Sequence, residues 1–323
     1  MIAAGIRGAK AVAQRAPAAS FPQPAIVGYW QNFKNAAPAQ TLAQVPSVFS
    51  VVVVAFATPT QPLDGSFSFE LDPSLAGQVP GGYTLAQCAD DIRRLHAEGR
   101  IVLLSVGGQH HSFALSSDAM VSRFVESAAQ EMQQWQFDGL DIDLENVITP
   151  ENSAFLEKAL RQLRMRMGPH LILTMAPQVS DMASLGGGSH VYWTMAHDLG
   201  STITMINTQF YNAGPKRGLD GNVYQPGTVD FVTSQIDAQL REFPSERIGV
   251  GLTASPGTRG YLAPAAAHAI LACLMDGQEC GSYRPVARYP HLRGAMIWST
   301  NWDADAGRTL SQSLIRALQG STR

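Results

Sequence analysis

Residues 137–146 read FDGLDIDLEN, and apolar and acidic residues alternate along this stretch. In a β-strand this alternation sends the two kinds of side chain to opposite faces, so one face carries Asp141, Asp143 and Glu145. The Cα atoms of alternate strand residues lie about 6.5–7 Å apart, and repulsion between their carboxylates, together with desolvation, raises the pKa of at least one. Because such a row destabilises a folded protein, we interpret it as a site of chemistry inside a closed fold.

On both sides of this strand, short β-rich runs alternate with longer segments whose apolar residues recur every three or four positions. That alternation is typical of parallel strands covered by helices. Eight such units over about 300 residues, with no linker between two halves, predict a single (β/α)8 TIM barrel of the α/β class. The predicted strands are Ala25–Tyr29, Ser50–Ala57, Ile101–Val106, Gly139–Leu144, Leu171–Ala176, Ile203–Phe210, Ile248–Leu252 and Gly294–Trp298. The predicted helices are Leu85–Glu98, Asp118–Trp135, Glu151–Met167, Val229–Glu242, Pro264–Met275 and Ala304–Gln319, the third capped by Thr149.

The predicted domain organisation is a flexible N-terminal extension, residues 1–22, followed by one catalytic barrel domain, residues 23–323. Residues 1–20 are rich in alanine, basic and free of acidic residues. Arginine and lysine residues interrupt any apolar core of a signal peptide there, and an organelle-type presequence is the alternative interpretation. The longest apolar run, residues 51–57, is too short to cross a bilayer, which needs about 20 residues. We therefore expect no membrane partner.

Charge, motifs and cysteines exclude several other classes. The chain carries 23 Lys and Arg against 26 Asp and Glu, a net charge of −3, which lacks the positive field of a nucleic-acid binder. Neither a dinucleotide-binding glycine motif nor a P-loop occurs. The three cysteines form no C-x-x-C pair, so a thiolate metal site has no support. Cys88 lies in a helical pattern as a buried thiol, whereas Cys273 and Cys280 are close enough for a disulfide if the protein is exported.

Three interpretations of the acidic strand compete. The carboxylates can be structural, paired with arginine and backbone partners, or they can bind a divalent cation, which requires oxygen ligands from several elements. The third interpretation is glycoside hydrolysis, which needs a protonated carboxylic acid beside other carboxylates. Glu145 stands last in the strand, at the carboxyl end where barrel enzymes hold their chemistry. The sequence therefore favours hydrolysis, with no metal and no cofactor.

Residues 138–145, DGLDIDLE, resemble the D-G-x-D-x-D-x-E signature of glycoside hydrolase family 18, the chitinases and related enzymes. Residues 105–108, SVGG, resemble the family's S-x-G-G motif. Residues 209–212, QFYN, resemble the Q-x-Y-N motif of plant class III and many bacterial chitinases, and Trp298 ends the eighth strand where the family keeps a tryptophan. The resemblance covers roughly residues 25–303 and implies the same barrel fold.

The resemblance implies a retaining mechanism in which the substrate's own N-acetyl group is the nucleophile, an exception to the two-carboxylate scheme. Glu145 is then the general acid, and Asp143 orients the acetamido group. Tyr211 donates a hydrogen bond to the acetamido oxygen, and Asp141 shares a proton with Asp143.

Other residues are expected to bind the sugar or to support the acids. Trp298 is expected to form an apolar platform beneath the sugar, since pyranose C–H faces stack on aromatic rings. The further predicted substrate contacts are Tyr29, Phe56, Met175, Gln178, Gln209 and Asn212. The predicted supporting residues are Ser105, Gly107, Gly108 and Asp138. His110 and His111 match no zinc-binding spacing and are interpreted as polar loop residues.

The resemblance thus predicts an endo-acting chitinase that is secreted, monomeric and partnered by chitin or chitooligosaccharides. Only about 40 residues separate the seventh and eighth predicted strands, so the large α+β insertion of deep-tunnel family members is expected to be absent. An open cleft follows from that absence. The alternatives are an endo-β-N-acetylglucosaminidase that acts on N-glycans and a non-catalytic chitin-binding lectin.

Overall fold

Eight parallel strands close into a barrel in the computed structural model, which describes residues 20–79, 81–182 and 188–320. Each strand pairs with its neighbour in chain order, and β8 pairs with β1 to complete the ring. The strands are β1 (Ala25–Gln31), β2 (Val51–Pro59), β3 (Ile101–Gly107), β4 (Gly139–Asp143), β5 (Ile172–Met175), β6 (Met205–Gln209), β7 (Ile248–Thr253) and β8 (Gly294–Trp298). The predicted (β/α)8 barrel is confirmed, and each predicted strand agrees with the structure within two residues at either end. Most of the predicted extension, residues 1–19, lies outside the described residues.

Helices surround the barrel between successive strands. They are α1 (Pro73–Ala76), α2 (Leu85–Ala97), α3 (Gly108–His111), α4 (Asp118–Trp135), α5 (Ser153–Met167), α6 (Val191–Leu199), α7 (Val229–Leu240), α8 (Pro264–Asp276), α9 (Thr300–Asp305) and α10 (Thr309–Gly320). Single 3-10 turns occur at Leu42–Gln44, Gly200–Thr202 and Ser245–Arg247, and short strands at Phe67–Ser68, Lys216–Arg217 and Val223–Tyr224.

Several helix boundaries follow from side-chain caps. Thr84 and Gln87 form a reciprocal capping box at the start of α2, and Ser117 caps α4 through the Met120 N–H. At the end of α8, Gly277 adopts the left-handed conformation, with φ +73°, that ends many helices.

Two predicted helix features are wrong. The predicted cap Thr149 lies in a turn before α5, where its N–H donates to Asn152 Oδ1, and the helix begins at Ser153. The predicted single helix Ala304–Gln319 is instead two helices, α9 and α10. Gly307 and Arg308, with φ of +68° and +61°, interrupt it because a left-handed backbone cannot continue a right-handed helix.

The core has two layers, one inside the barrel and one between the barrel and the helices. β2 shows both, because Val51 and Val53 pack inside the barrel whereas Val52 and Val54 pack in the outer layer. A parallel strand with both faces buried is expected to be apolar throughout, as this run is. The pairing of β2 with β3 keeps one register from Val51 to Ala55 and then shifts between Ala55 and Ala57, next to the cleft residue Phe56.

The connection between β7 and β8, residues 254–293, contains one helix, α8, and no strand, and the structure describes all of it. No large α+β domain is therefore inserted there, as predicted. Cys273 and Cys280 form a disulfide at the end of α8, and Cys88 is a buried free thiol in α2. Across the described part of the chain, no helix has both the length and the apolar composition needed to cross a membrane.

Candidate active site

A cleft of about 990 Å³ opens at the carboxyl ends of the barrel strands. Asp143 and Glu145 of the acidic row line it, and residues at or after the ends of β1, β2 and β3 form much of its wall. Its lining consists of Asn32, Phe33, Lys34, Asn35, Phe56, Thr58, Glu70, Leu71, Asp72, Pro73, Gly107, Gln109, His110, His111, Asp143, Glu145, Asn146, Gln178, Gln209, Tyr211, Asn212 and Trp298.

Asp141 is the innermost acid of the β4 row and is fully buried. Its Oδ2 accepts hydrogen bonds from Tyr29 Oη (2.6 Å) and Ser105 Oγ (2.7 Å), and its Oδ1 accepts one from Thr174 Oγ1 (2.6 Å). Burial raises the pKa of Asp141, while these three hydroxyl donors act in the opposite direction. Asp141 therefore lies beneath the cleft with both carboxyl oxygens hydrogen-bonded to side chains of other strands.

Asp143 lies one step nearer the solvent and is 4% exposed. Its Oδ1 accepts a hydrogen bond of 2.7 Å from Gln209 Nε2, whose amide also donates to the Ala176 carbonyl. Burial raises the pKa of Asp143 well above its ordinary value, and the negative charges of Glu145 and Asp141 raise it further. Both inner acids therefore have raised pKa values, and burial is the largest cause for each. The predicted proton sharing with Asp141 stays a prediction.

Glu145 lies two residues past the end of β4 and is partly exposed to the cleft. Its Oε2 accepts a hydrogen bond of 3.1 Å from Gln178 Nε2. Burial raises the pKa of Glu145, against the opposing effects of the Gln178 and Gln209 amides and of His110. A carboxyl group with a raised pKa beside an open cleft can deliver a proton to a bound substrate.

Tyr211 lies just past β6 and lines the same cleft. Burial raises its pKa well above the ordinary value, and the charges of Asp143, Glu145 and Asp141 act in the same direction. The hydroxyl therefore stays protonated at any working pH, and it can donate a hydrogen bond to an oxygen in the cleft.

The two glycines at the end of β3, Gly107 and Gly108, are required by close packing against the site. Gly107 has φ +119°, and a Cβ there would lie 2.2 Å from the Asp143 carbonyl oxygen. Gly108 has φ +74°, and a Cβ there would lie 2.5 Å from the Phe56 ring. A side chain at either position would displace the strand end that carries the acids or the aromatic wall of the cleft.

An aromatic group of three residues forms part of the cleft wall. The Trp298 and Phe56 rings are nearly parallel, with centroids 5.8 Å apart and an angle of 20° between planes. Phe33 stacks on both, with centroid distances of 6.3 Å to Trp298 and 6.4 Å to Phe56. These rings present an apolar surface beside the acids, which suits the C–H face of a sugar.

The structure contradicts direct substrate contact for two predicted residues. Met175 lies in the layer between barrel and helices with no exposed surface, because Thr174 points inward to Asp141 and strand alternation sends Met175 outward. Tyr29 is 1% exposed, lines no part of the cleft, and is instead a hydrogen-bond donor to Asp141.

The other predicted site residues fall into two groups. Trp298, Phe56, Gln178, Gln209 and Asn212 line the cleft, as does Gly107, and their contacts with substrate stay predictions. Ser105 and Gly108 contact Asp141 and the cleft wall, as described above. Asp138 lies at the opposite end of β4, where its Oδ2 accepts the Val102 N–H (2.8 Å) and meets His96 Nε2 (3.0 Å).

Sequence reasoning missed most of the wall contributed by the loops after β1 and β2. Phe33 is the clearest omission. It follows β1 by two residues, and a position just past the carboxyl end of a barrel strand was the available signal. The other unpredicted lining residues are Asn32, Lys34, Asn35, Thr58, Glu70, Leu71, Asp72, Pro73, Gln109, His110, His111 and Asn146. His110 and His111, interpreted from the sequence as loop residues, lie in α3.

Comparison with known proteins agrees with this geometry. The model of the glycosyl hydrolases family 18 matches residues 25–256, a range that contains all of the signature acids. The chain belongs to glycosyl hydrolase family 18. Exochitinase 1 from Streptomyces olivaceoviridis is 31% identical over 330 residues, which cover 90% of this chain and 55% of that relative. This family 18 chain therefore spans about half the length of that curated relative.

Solved structures support the same assignment. A Streptomyces coelicolor protein of known structure is 42% identical to this family 18 chain, with a TM-score of 0.84 over 92% of this chain and 98% of that one. A family GH18 chitinase from Chromobacterium violaceum is 30% identical, with a TM-score of 0.82 over 96% of this chain and 91% of that one.

Proposed function

We propose that the protein is an endo-acting chitinase, which hydrolyses β-1,4 bonds between N-acetylglucosamine units with retention of configuration. The observation that carries this proposal is the row of Asp141, Asp143 and Glu145, which runs from the barrel interior to a cleft with an aromatic wall. Family membership and the chitinase names of similar proteins support the substrate class.

In the first half-reaction, the Glu145 carboxyl donates its proton to the glycosidic oxygen as the C1–O bond breaks. The carbonyl oxygen of the substrate's 2-acetamido group forms the new bond to C1, which yields an oxazolinium ion. Asp143 accepts the acetamido N–H and stabilises the positive charge, and Tyr211 donates to the acetamido oxygen. The raised pKa of Glu145 favours the protonated form that this step requires.

In the second half-reaction, the Glu145 carboxylate removes a proton from water, whose oxygen attacks C1 and reopens the oxazolinium ring. The acetamido group is restored, Glu145 is protonated again, and two displacements leave the configuration unchanged. Asp141, whose carboxyl oxygens accept hydrogen bonds from three hydroxyls, shares a proton with Asp143 and so helps to stabilise the positive charge. No step requires a metal or a cofactor.

The chemistry also defines the substrate. A sugar that lacks a 2-acetamido group has no internal nucleophile, so we expect cellulose and xylan to be poor substrates. The absence of an inserted domain between β7 and β8 supports an open cleft and internal cleavage of chains. Because one similar protein carries the name exochitinase, the cleavage position needs a direct test.

The proposal includes export and a monomeric state. The Cys273–Cys280 disulfide supports an oxidising compartment, where such bonds persist. Among the described residues, the exposed large apolar side chains belong to separate segments and form no run along the chain. These residues are Leu63, Leu85, Met165, Val223 and Val286. Light scattering of the purified chain is expected to give the monomer mass of 34.7 kDa.

The decisive experiment is a time course with chitohexaose, with products identified by mass spectrometry. Endo cleavage is expected to release trimers, tetramers and dimers together at early times, whereas release of dimers alone would show exo action. Glu145→Gln is expected to reduce turnover about 10³-fold and to keep most of the affinity for the oligosaccharide. Undiminished turnover by this variant would refute the assignment of the acid.

Two further outcomes would support other functions. Cleavage of a high-mannose glycopeptide without cleavage of chitohexaose would favour an endo-β-N-acetylglucosaminidase. Binding of chitohexaose without any release of reducing sugar, at every pH tested, would favour a lectin.

A further inference from the structure

Glu145 is attached to a peptide group that lies beyond the hydrogen-bond ladder of the barrel. The pairing of β4 with β3 ends at Asp143, and its pairing with β5 ends at Ile142. Past the β5 pairing, the Ala176 N–H donates one more hydrogen bond to the Ile142 carbonyl. The next peptide, between Leu144 and Glu145, therefore needs other partners to hold its orientation.

The N–H of this peptide donates to Ser112 Oγ, at 2.8 Å. The same Ser112 hydroxyl donates to the Gly108 carbonyl, also at 2.8 Å. The hydroxyl is thus engaged in both directions, which fixes its rotamer and joins the end of α3 to the strand end that carries Glu145.

The carbonyl of this peptide, Leu144 O, accepts a hydrogen bond of 3.0 Å from Tyr192 Oη in α6. Tyr192 is 2% exposed and Leu144 is equally buried, so water cannot readily replace the bond. Burial also keeps the pKa of Tyr192 well above its ordinary value, so the hydroxyl is always available as a donor.

We propose that Ser112 and Tyr192 are positioning residues that clamp the Leu144–Glu145 peptide and so aim the Glu145 carboxyl at the scissile bond. Neither residue lines the cleft, so each acts through Glu145. The clamp rests on the proposed role of Glu145 as general acid. With one side chain just past α3 and one in α6, it replaces the ladder bonds that strand pairing no longer provides at this position.

The test compares Ser112→Ala and Tyr192→Phe with two matched controls, using chitohexaose and the full chain. Ser122→Ala removes the same kind of serine hydroxyl bond to a carbonyl four residues earlier, in α4, and Tyr83→Phe removes a buried tyrosine hydroxyl that lines no part of the cleft. Each clamp variant is expected to lower kcat about 10²-fold with KM changed less than threefold, because a small misplacement of a reacting group has a cost of that order. The controls are expected to keep kcat within twofold of wild type.

The pH profile separates positioning from a merely structural role. A Glu145 carboxyl released toward solvent loses part of the burial that raises its pKa, so the alkaline limb of kcat/KM is expected to move to lower pH in both clamp variants. Ser112→Thr, which retains the hydroxyl, is expected to have the kcat of the wild type and an alkaline limb of kcat/KM at the wild-type pH. A lower melting temperature with unchanged kcat and pH profile would overturn the proposal.

Crystal structures of Ser112→Ala and of wild type test the clamp without any substrate. We expect a displaced or second position of the Glu145 carboxyl in the variant, and an unchanged carboxyl would overturn the clamp even if the protein is not a chitinase. Conversely, a wild-type chain that leaves chitohexaose intact contradicts the proposed function alone. If Tyr192→Phe does not fold, the Ser112 variants decide the matter.

Discussion

The two ends of β4 carry the same kind of residue in opposite situations. At the amino end, Asp138 Oδ2 accepts the Val102 N–H and lies 3.0 Å from His96 Nε2, so this oxygen has two partners within the protein. At the carboxyl end, Asp143 has one amide donor, from Gln209, and two acidic neighbours. The two ends thus differ in their surroundings, because Asp138 is buried among partners at the closed end of the barrel whereas Asp143 lines an open cleft beside other acids.

The largest expected effect lies at the carboxyl end. Asp143→Asn is expected to reduce kcat on chitohexaose about 10²- to 10³-fold, because the neutral amide cannot stabilise positive charge on the acetamido group. Asn keeps an oxygen that can accept the Gln209 amide, so the fold should be retained. Steady-state kinetics and circular dichroism check both statements. A variant with more than a tenth of wild-type kcat would contradict the role of Asp143.

At the amino end of β4, substitution of the acid should lower stability and leave turnover nearly unchanged. Asp138→Ala removes the acceptor of the Val102 N–H and is expected to lower the free energy of unfolding by about 1–3 kcal/mol. The turnover of the folded protein should stay within about twofold of wild type, since Asp138 lies at the far end of the barrel from the cleft. Urea unfolding and kinetics of the same preparation measure both. A large loss of kcat at unchanged stability would abolish the contrast between the two ends.

A smaller effect concerns stability at the reactive end. Because folding raises the pKa of Asp143 above 3.8, the folded chain retains a proton that the unfolded chain loses above that pH. The free energy of unfolding of the wild type therefore falls as pH rises from 3.8 through the raised pKa of Asp143. The Asp143→Asn variant has no ionisable group at this position and does not show this loss. Asp143→Asn is expected to be more stable than wild type by about 1 kcal/mol at pH 7, with a smaller difference at pH 3. Thermal unfolding at the two pH values tests this, and an equal difference at both would count against a raised pKa.

The smallest expected effect sharpens the role of the amide next to the acid. Gln178 donates to Glu145 Oε2 and thereby opposes the rise in the pKa of Glu145 that burial causes. Gln178→Ala is expected to move the alkaline limb of kcat/KM to higher pH, since the acid would keep its proton longer. A pH–rate profile with chitotetraose measures this. Movement of the limb to lower pH would mean that Gln178 raises the pKa instead.

Much of the site was accessible from strand alternation alone. The direction of the β4 acids follows from the period of two, and so does the inward position of Ser105, whose partner is Asp141. The same rule, applied to β5, sends Met175 outward once Thr174 is placed inward, so the wrong prediction that Met175 contacts substrate was avoidable. The wrong prediction of a substrate contact for Tyr29 was not avoidable, because an inward tyrosine can reach either the cleft or a deeper acid. Only the hydrogen bond to Asp141 in the structure distinguishes the two.

The loops show where prediction from sequence ended. Phe33 has no periodic signal, and its stacking on Trp298 depends on how the loop after β1 folds over the barrel. Ser112 and Tyr192 are separated in the chain by 80 positions and meet only at the Leu144–Glu145 peptide. Such contacts arise from packing between distant segments and leave no local pattern.

From the sequence by itself came the barrel, the face of β4 on which the acids lie, and the family signature, because each depends on short-range periodicity or on adjacent residues. Only the tertiary structure decided which acid is hydrogen-bonded within the protein and which lines the cleft. It also decided which aromatic rings form the cleft wall and what holds Glu145 in place. The physical reason is that burial, charge coupling and hydrogen-bond partners are properties of neighbours in space, and in a closed barrel most neighbours come from other strands and loops.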